Sequence, residues 1–510
     1  MRIRIVGAGT MGRGIAQWAV AGGHTVELAD ARPASVTEAV AFVTRMLERA
    51  AQKGRTSREE AEAATARLHA LDSPYAVPAA PQDAPELVIE AVLEELEVKA
   101  ELLTGLERVL PASTVLATNT SSLSVAGIAA RLADPGRLAG LHFFNPVPLM
   151  KIAEVVPGAA TRPEIPALLT ALVESCGHRA VTVADTPGFL VNHAGRGLVT
   201  EAFALLEESV APPEALDRIA RDVLGLRMGP FELMDLTGLD VTASVTETVW
   251  HGFHHADRLR PSYLTANRVA AGLHGRKTGR GFYAYEEEGS GAVPPEPPVG
   301  EGDAGRAVTV VGESPEADAV RAALGAPGKG GPDAGEGLYL VPTWGRTVAA
   351  GVAAHGLPAE RALGVDPLSL GTPRRVLAVT PATDEGALRD AAAVLARDGQ
   401  SVTVVRDTAG SVAQRLLASV LGVATALAER GIATPADIDL AVTLGLGYPH
   451  GPLAWGDTLG SGRALALTEA LYATTGDPRY RPTPWLTQRA QLGLPVTTPM
   501  RALPGSDTAC

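Results

Sequence analysis

Short apolar blocks and longer amphipathic stretches alternate through the first third of the chain. Aliphatic, β-branched runs at 2–6, 25–29, 87–91, 114–118, 138–143 and 152–156 have the length of strands covered on both faces. Between them, apolar residues recur at every third or fourth position over about 12–32, 33–52, 95–109 and 123–132, which predicts helices. Strands interleaved with helices predict a parallel sheet covered on both sides. From about 187 to 285 the strand signal disappears, and helices are predicted over 192–208, 213–225 and 240–255. The stretch 286–302 is rich in Pro, Gly and Glu, cannot build a core and reads as a semi-extended spacer. Strands return at 307–311, 337–341, 375–379 and 401–405, and helices fill about 411–473. Beyond about 487 no period remains, so a loosely ordered tail is expected. The chain thus divides into an α/β domain (1–184), a helical domain (185–286), a linker (287–306), a second α/β unit (307–406), a second helical unit (407–487) and a tail (488–510).

The helical part is duplicated. Asp185-Thr-Pro-Gly188 reappears as Asp407-Thr-Ala-Gly410, an offset of 222 residues (407 − 185). At that offset Asp217 matches Asp439, Gly225 matches Gly447, Gly229-Pro230 matches Gly451-Pro452, and Asp235 matches Asp457.

Composition narrows the choice of partners. Lys+Arg 44 against Asp+Glu 57 leaves a net charge of −13, which argues against nucleic acid or an anionic membrane as a general partner. Two cysteines, Cys176 and Cys510, cannot staple 510 residues, so a reducing, cytoplasmic setting is expected. The longest uncharged apolar helical run, 416–428, is too short to span a bilayer, and with a strand predicted from residue 2 no leader is expected. A soluble protein is expected.

The chemistry begins at the first strand end. Gly7-Ala-Gly9-Thr10-Met11-Gly12 follows a strand and opens a helix. Glycine at 7 permits a tight turn, at 9 a close backbone approach to a pyrophosphate, and at 12 close helix–strand packing, with phosphate on the helix N-terminus. Asp30 lies 18 residues past the third glycine (30 − 12), where a carboxylate receives ribose hydroxyls and repels a 2′-phosphate. The expected ligand is NAD rather than NADP, with Arg32 the one residue that blurs the choice. Further on, His142 ends an apolar strand, and Glu154 shares strand parity with Ile152 and Val156. A carboxylate on that face needs a partner, and an imidazole returned by the Pro-Val-Pro loop supplies one. Such a pair suits moving an alcohol proton during hydride transfer, or it is a buried structural pair. Asn119-Thr-Ser121-Ser122 places hydroxyls at another strand end, for substrate or for capping the helix at 123–132. Arg45, Arg49 and Lys53, at i, i+4 and i+8, form one basic stripe, which is either an anion site or a solvated face. His251, His254 and His255 lack a nearby cysteine or further acid, so no metal is expected.

Together GAGTMG, Asp30, the run Ile89 to Glu94, Asn119-Thr-Ser-Ser, His142-Phe-Phe-Asn145-Pro-Val-Pro through Glu154, Asp185-Thr-Pro-Gly through Asn192, Gly229-Pro-Phe-Glu-Leu-Met-Asp235 and Gly275-Arg-Lys-Thr-Gly-Arg-Gly-Phe-Tyr283 resemble the L-3-hydroxyacyl-CoA dehydrogenase family. The resemblance covers about 1–285. It implies an N-terminal Rossmann-type NAD-binding domain followed by an all-helical domain, then a degenerate α/β unit without NAD and a second, non-catalytic helical copy. It makes His142 the base and Glu154 its orienting partner, and sets Ser121, Asn145 and Asn192 around the substrate and His142. Glu94, Lys99, Ser121, Asn145 and Lys277 join the glycine loop and Asp30 as cofactor contacts, and Lys53, with Arg45 and Arg49 beside it, faces the CoA phosphates.

The implied reaction is NAD-dependent oxidation of an (S)-3-hydroxyacyl-CoA, with 3-hydroxyadipyl-CoA or 3-hydroxybutyryl-CoA as substrate, in fatty-acid β-oxidation or phenylacetate degradation. Two rivals stand beside it: a related dehydrogenase of a free hydroxy or sugar acid, and a non-catalytic NAD-binding protein. The helical domain of single-copy relatives forms a dimer interface, so the chain is either a homodimer or a monomer whose second copy replaces a partner. Val308 to Gly312 resembles a first strand whose following glycines are lost, and Gln414 stands at the repeat position of Asn192.

Overall fold

The computed structural model describes residues 1–286, 293–325, 336–397, 399–501 and 503. Cys510 and part of the spacer, 287–292, lie outside them. The chain forms two compact units. The first is built mainly from Met1–His193 with Arg430–Leu446, the second from Ala194–Glu429 with Gly447–Thr498.

The first unit holds strands β1 (Arg2–Val6), β2 (Thr25–Ala29), β3 (Leu68–Ala70), β4 (Leu87–Glu90), β5 (Val115–Thr118), β6 (Leu138–Phe143), β7 (Ile152–Pro157) and β8 (Arg179–Thr182). They make one sheet in the order β3-β2-β1-β4-β5-β6-β7-β8, parallel except at β6–β7. Its helices are α1 (Thr10–Ala21), α2 (Pro33–Gln52), α3 (Arg58–Ala66), α4 (Leu96–Val109), α5 (Val125–Ala129), α6 (Glu164–Ser175) and the start of α7 (Val191–Glu207). In α2 the buried Val36, Ala39, Val43 and Leu47 form the apolar stripe that packs on the sheet. Strand order reverses between β1 and β4, which opens a crevice at their carboxyl ends where an open α/β sheet binds ligands. The helix expected over 12–32 is shorter: it stops at Ala21, Gly23 takes φ +90, and the aliphatic run Thr25–Ala29 pairs with β1 as a strand.

The second unit begins with the rest of α7, then α8 (Pro213–Asp222), α9 (Pro230–Thr237), α10 (Leu239–Gly252) and α11 (Tyr263–Ala270). Next come β9 (Val308–Val310), α12 (Pro315–Leu324), β10 (Leu338–Pro342), α13 (Val348–His355), β11 (Ala362–Val365), β12 (Arg374–Val379), α14 (Glu385–Leu395) and β13 (Ser401–Arg406). The chain ends with α15 (Ser411–Glu429), α16 (Pro435–Gly445), α17 (Pro452–Leu459), α18 (Ser461–Thr475) and α19 (Pro484–Leu492); of these α16 belongs to the first unit. Helix α15 is long and apolar enough to cross a membrane, yet it is buried along its length by its neighbours in the second unit.

The smaller sheet, β13-β12-β11-β10-β9, repeats the pairing of β4 to β8: parallel, parallel, antiparallel, parallel. Side-chain anchors repeat as well. Asp185 accepts from the Val125 and Ala126 amides at the start of α5, and Asp407 accepts from the Val348 and Ala349 amides at the start of α13. Gly140 pairs with Val156, and Gly364 pairs with Ala378; a Cβ at 364 would lie 2.4 Å from the Val348 side chain. The unit at 307–406 is therefore the latter half of a nucleotide-binding fold. The expectation that 307–311 is a first strand with lost glycines is corrected: β9 corresponds to β4, and among the described residues of 307–406 none forms a counterpart of β1–β3.

The copies exchange helices. Ala184 N–H donates to the Ile432 carbonyl in the first unit, and Arg406 N–H donates to the Val210 carbonyl in the second, both at 2.9 Å. Donors and acceptors differ by the same 222 residues (406 − 184 and 432 − 210), the mark of an isologous contact. Accordingly α16 packs on β7 and β8, and α8 packs on β12.

The spacer is anchored, and one further expectation, the loosely ordered tail, changes. The described part of the spacer is extended but fixed, because the buried Arg374 guanidinium draws in Glu296 at 2.6 Å beside Asp222 at 2.8 Å. The tail is ordered through residue 498: Trp485 Nε1 donates to the Val496 carbonyl, Arg489 donates to the Thr498 carbonyl, and Val496 is fully buried.

Candidate active site

The glycine loop joins β1 to α1. Gly7 takes φ +108, and a Cβ there would lie 2.4 Å from the Ala91 carbonyl oxygen. A Cβ at Gly12 would lie 1.7 Å from the Gly7 carbonyl oxygen, whereas one at Gly9 would meet nothing within 4 Å. Gly9 therefore leaves open space above the α1 N-terminus, Thr10 begins the helix, and Met11 packs on the core beneath. A cleft of about 750 Å³ runs from Gly7 and Gly9 past Asp30 and Arg32 to Tyr75 and Val92. Asp30 accepts from the Ala8 amide at 2.8 Å and the Arg32 amide at 2.9 Å, which fixes its carboxylate on the cleft wall. These residues fit a dinucleotide: an amide-lined helix end for pyrophosphate and an acid for ribose.

Beyond β4, Glu94 organises the loop after β5. It accepts from Thr120 Oγ1, the Ser121 and Ser122 amides, and both serine hydroxyls, at 2.7–3.2 Å. Burial opposes its charge, but Lys99 and these hydrogen bonds outweigh that and pull the carboxyl down to about 2. Asn119 stands at the same strand end and accepts from the Phe143 amide.

His142 and Glu154 are directly opposed across the antiparallel β6–β7 pair. His142 Nδ1 lies 2.6 Å from Glu154 Oε2, and Glu154 Oε1 accepts from the Leu190 and Val191 amides at 3.0 and 2.8 Å. Glu154 is fully buried, so those amides at the head of α7 supply the solvation that water would give. Phe189, just before them, takes φ +48, a left-handed conformation uncommon outside glycine. The Phe144 and Phe189 rings pack against the imidazole at 4.5 and 5.7 Å. With Nδ1 committed to the carboxylate, Nε2 is the nitrogen left for proton transfer. Asn192 is the second residue of α7, next to the Val191 amide.

A second cleft, of about 370 Å³, runs between α1, α2 and the loop after β6. Thr10, Arg13, Phe42, Met46, Arg49, Lys53, Arg55 and Asn145 to Leu149 line it. Asn145 thus links this cleft to the strand that carries His142.

The sequence profile described as "3-hydroxyacyl-CoA dehydrogenase, NAD binding domain" matches residues 2–186, and the one described as "3-hydroxyacyl-CoA dehydrogenase, C-terminal domain" matches 188–285 and 410–498. The chain belongs to the 3-hydroxyacyl-CoA dehydrogenase family. It is 36% identical over 491 residues to 3-hydroxyadipyl-CoA dehydrogenase of Escherichia coli (strain K12), covering 96% of this chain and 97% of that one. It is 38% identical over 289 residues to a probable 3-hydroxybutyryl-CoA dehydrogenase of Bacillus subtilis (strain 168), covering 57% of this chain and 99% of the relative. The crystal structure of 3-hydroxybutyryl-CoA dehydrogenase from Escherichia coli K12 is similar with a TM-score of 0.83 at 35% identity, over 97% of this chain and 98% of that one. This dehydrogenase is an NAD-dependent oxidoreductase with a Rossmann-like domain and a helical C-terminal domain.

Not every expected contact is where the sequence suggested. Lys99 is buried to 1% exposure with its ammonium 2.7 Å from Glu90 and 3.2 Å from Glu94, so it supports Glu94 from beneath rather than facing the cleft. Ser121 points its hydroxyl at Glu94. Arg49 and Lys53 line the second cleft, but Arg45 is exposed and outside the lining. Lys277 belongs to the second unit, where it pairs with Asp240 at 2.5 Å. Sequence reasoning missed Arg13 and Arg55, because the cleft joins two helices to a loop about a hundred residues away. Among the described residues no group of three or more His, Cys, Asp or Glu side chains is set to hold a metal.

Proposed function

We propose that this dehydrogenase oxidises the 3-hydroxyl of a short (S)-3-hydroxyacyl-CoA, 3-hydroxyadipyl-CoA or 3-hydroxybutyryl-CoA, with His142 as the base. The buried His142–Glu154 pair carries this reading, because an imidazole held by an amide-anchored carboxylate has one nitrogen free and one defined orientation. His142 Nε2 takes the hydroxyl proton as the hydride leaves C3, and Glu154 stabilises the imidazolium that results. Asn145, Asn192 and Ser121 position the reacting oxygen. NAD, when bound, supplies the hydride-accepting nicotinamide. Gly7, Gly9 and Gly12 make room for its pyrophosphate, Asp30 receives its ribose, and Glu94 holds the 120–122 loop beside it.

The CoA phosphates rest on Arg49, Lys53 and Arg55, three cations at one end of the second cleft in a protein of net charge −13. Absorbance at 340 nm with acetoacetyl-CoA and NADH tests the reaction, and an inert wild-type protein contradicts it. Arg49→Glu combined with Lys53→Glu is expected to raise KM for acetoacetyl-CoA about tenfold or more. An unchanged KM would move the CoA site elsewhere.

The second copy takes the place of a partner subunit, a reading supported by the reciprocal Ala184–Ile432 and Arg406–Val210 hydrogen bonds. A chain ending at residue 286 is expected to associate or precipitate in sedimentation experiments; a stable monomeric fragment would contradict this. With two cysteines in 510 residues, the proposed setting is the cytoplasm.

A further inference from the structure

The second cleft carries a cation that CoA does not explain. Arg13 lies one turn into α1, with its guanidinium carbon 4.1 Å above the Phe42 ring. Stacking fixes the guanidinium plane while leaving its N–H edge free for an acceptor. Among the described residues no carboxylate pairs with it. Along α2 from Phe42, Arg49 lies seven positions away (49 − 42), about 10 Å, and Lys53, at the end of the helix, lies eleven away (53 − 42), about 16 Å. That distance matches the uncharged pantetheine arm. Phosphates on Arg49, Lys53 and Arg55 therefore leave Arg13 at the acyl end, where CoA offers no anion. Asn145, expected at the reacting oxygen, lines the same cleft, and Gly14 beside Arg13 packs against Val147 of the same loop.

We propose that Arg13 receives the distal carboxylate of a dicarboxylic acyl group, so that the enzyme selects monothioesters of 3-hydroxy diacids. The proposal rests on the dehydrogenase reading above and names its substrate class. In a six-carbon diacid the distal carboxyl lies three bonds, roughly 4 Å, from the hydroxyl-bearing carbon. A guanidinium–carboxylate pair is short and bidentate, and a monoacid substrate leaves the cation unpaired.

The test measures kcat/KM at saturating NAD for full-length wild type, Arg13→Met and Arg13→Lys, each with (S)-3-hydroxyadipyl-CoA and (S)-3-hydroxybutyryl-CoA. NADH fluorescence verifies that each variant is folded. Wild type is expected to prefer the diacid. Arg13→Met should lower the diacid-to-monoacid ratio about tenfold to a hundredfold, and Arg13→Lys should keep part of the preference. A ratio that Arg13→Met leaves unchanged, whether both activities fall together or neither falls, overturns the proposal. So does a wild-type enzyme that prefers the monoacid; in both cases the dehydrogenase reading survives. Wild type inactive on both substrates overturns that reading and the proposal with it.

Discussion

The ends of β6 and β11 occupy the same place in two copies of one frame and carry opposite chemistry. At the first, His142 faces Glu154 across an antiparallel pair. At the second, extending the register of Gly364 with Ala378 and Val365 with Leu377 sets Asp366 opposite Val376, and the Asp366 amide donates to the Val376 carbonyl. Asn192 becomes Gln414 at the repeat offset, and the corresponding register sets Trp344 where the first copy has Ser121. Gln414, one methylene longer, reaches across the corresponding place: its Nε2 donates to the Thr343 carbonyl at 2.6 Å and to Asp366 at 2.8 Å, and its Oε1 accepts from the Gly345 amide at 3.1 Å. Where the first copy holds the His142–Glu154 pair, the second holds a buried polar cluster. The backbone hydrogen bonds that built the frame are kept, because the exchanged helices depend on them.

The comparison can be broken at either end. Glu154→Gln keeps the shape of the pair but removes the charge that orients the imidazole; kcat is expected to fall about a hundredfold or more, with KM changing less. If only KM moves, Glu154 serves binding and the copies differ less than argued. In the second copy, burial pushes the Asp366 carboxyl up to about 6 from its ordinary 3.8. A carboxyl raised by folding favours the protonated native state, so its contribution is present below about pH 4 and is lost as pH rises through about 6. Asp366→Asn should therefore stabilise the protein at pH 8, by at most about 3 kcal/mol, without stabilising it near pH 4. Denaturant unfolding at the two pH values checks this; a variant destabilised at pH 8 would contradict it. Gln414→Ala strips three hydrogen bonds from a buried site and should cost about 1–3 kcal/mol while leaving kcat unchanged. The smallest effect is a count. Equilibrium dialysis should find one NADH per chain, since among the described residues of 307–406 none forms a counterpart of the glycine loop; two would restore the second copy as a nucleotide site.

Much of the first copy was legible in the sequence because its signals are local. The boundaries of β1, β2 and β6 follow from aliphatic runs, the glycine loop from its position between strand and helix, and the His142–Glu154 pair from the parity of Glu154 with Ile152 and Val156. The repeat was legible from residue identities alone. What failed depended on neighbours distant in sequence. Val308 to Gly312 looks like a first strand because a strand followed by glycine is a local motif, whereas its identity as the β4 counterpart lies in the pairing order. Strand β11, the four buried residues Ala362–Val365, is too short to show a period. The tail carries no readable period because its anchors are Trp485, Val496 and Asp457, three residues with no common spacing. Arg13 reads as one more helical residue until the fold sets the loop after β6 on the same cleft.

In the proposed reaction one imidazole, held by one carboxylate, does the proton chemistry for the whole chain. The direct measurement compares wild type with His142→Gln at 340 nm while NADH binding is followed by fluorescence. The account predicts unaltered NADH affinity with kcat reduced about 10²- to 10⁴-fold. Near-normal turnover in His142→Gln would contradict it.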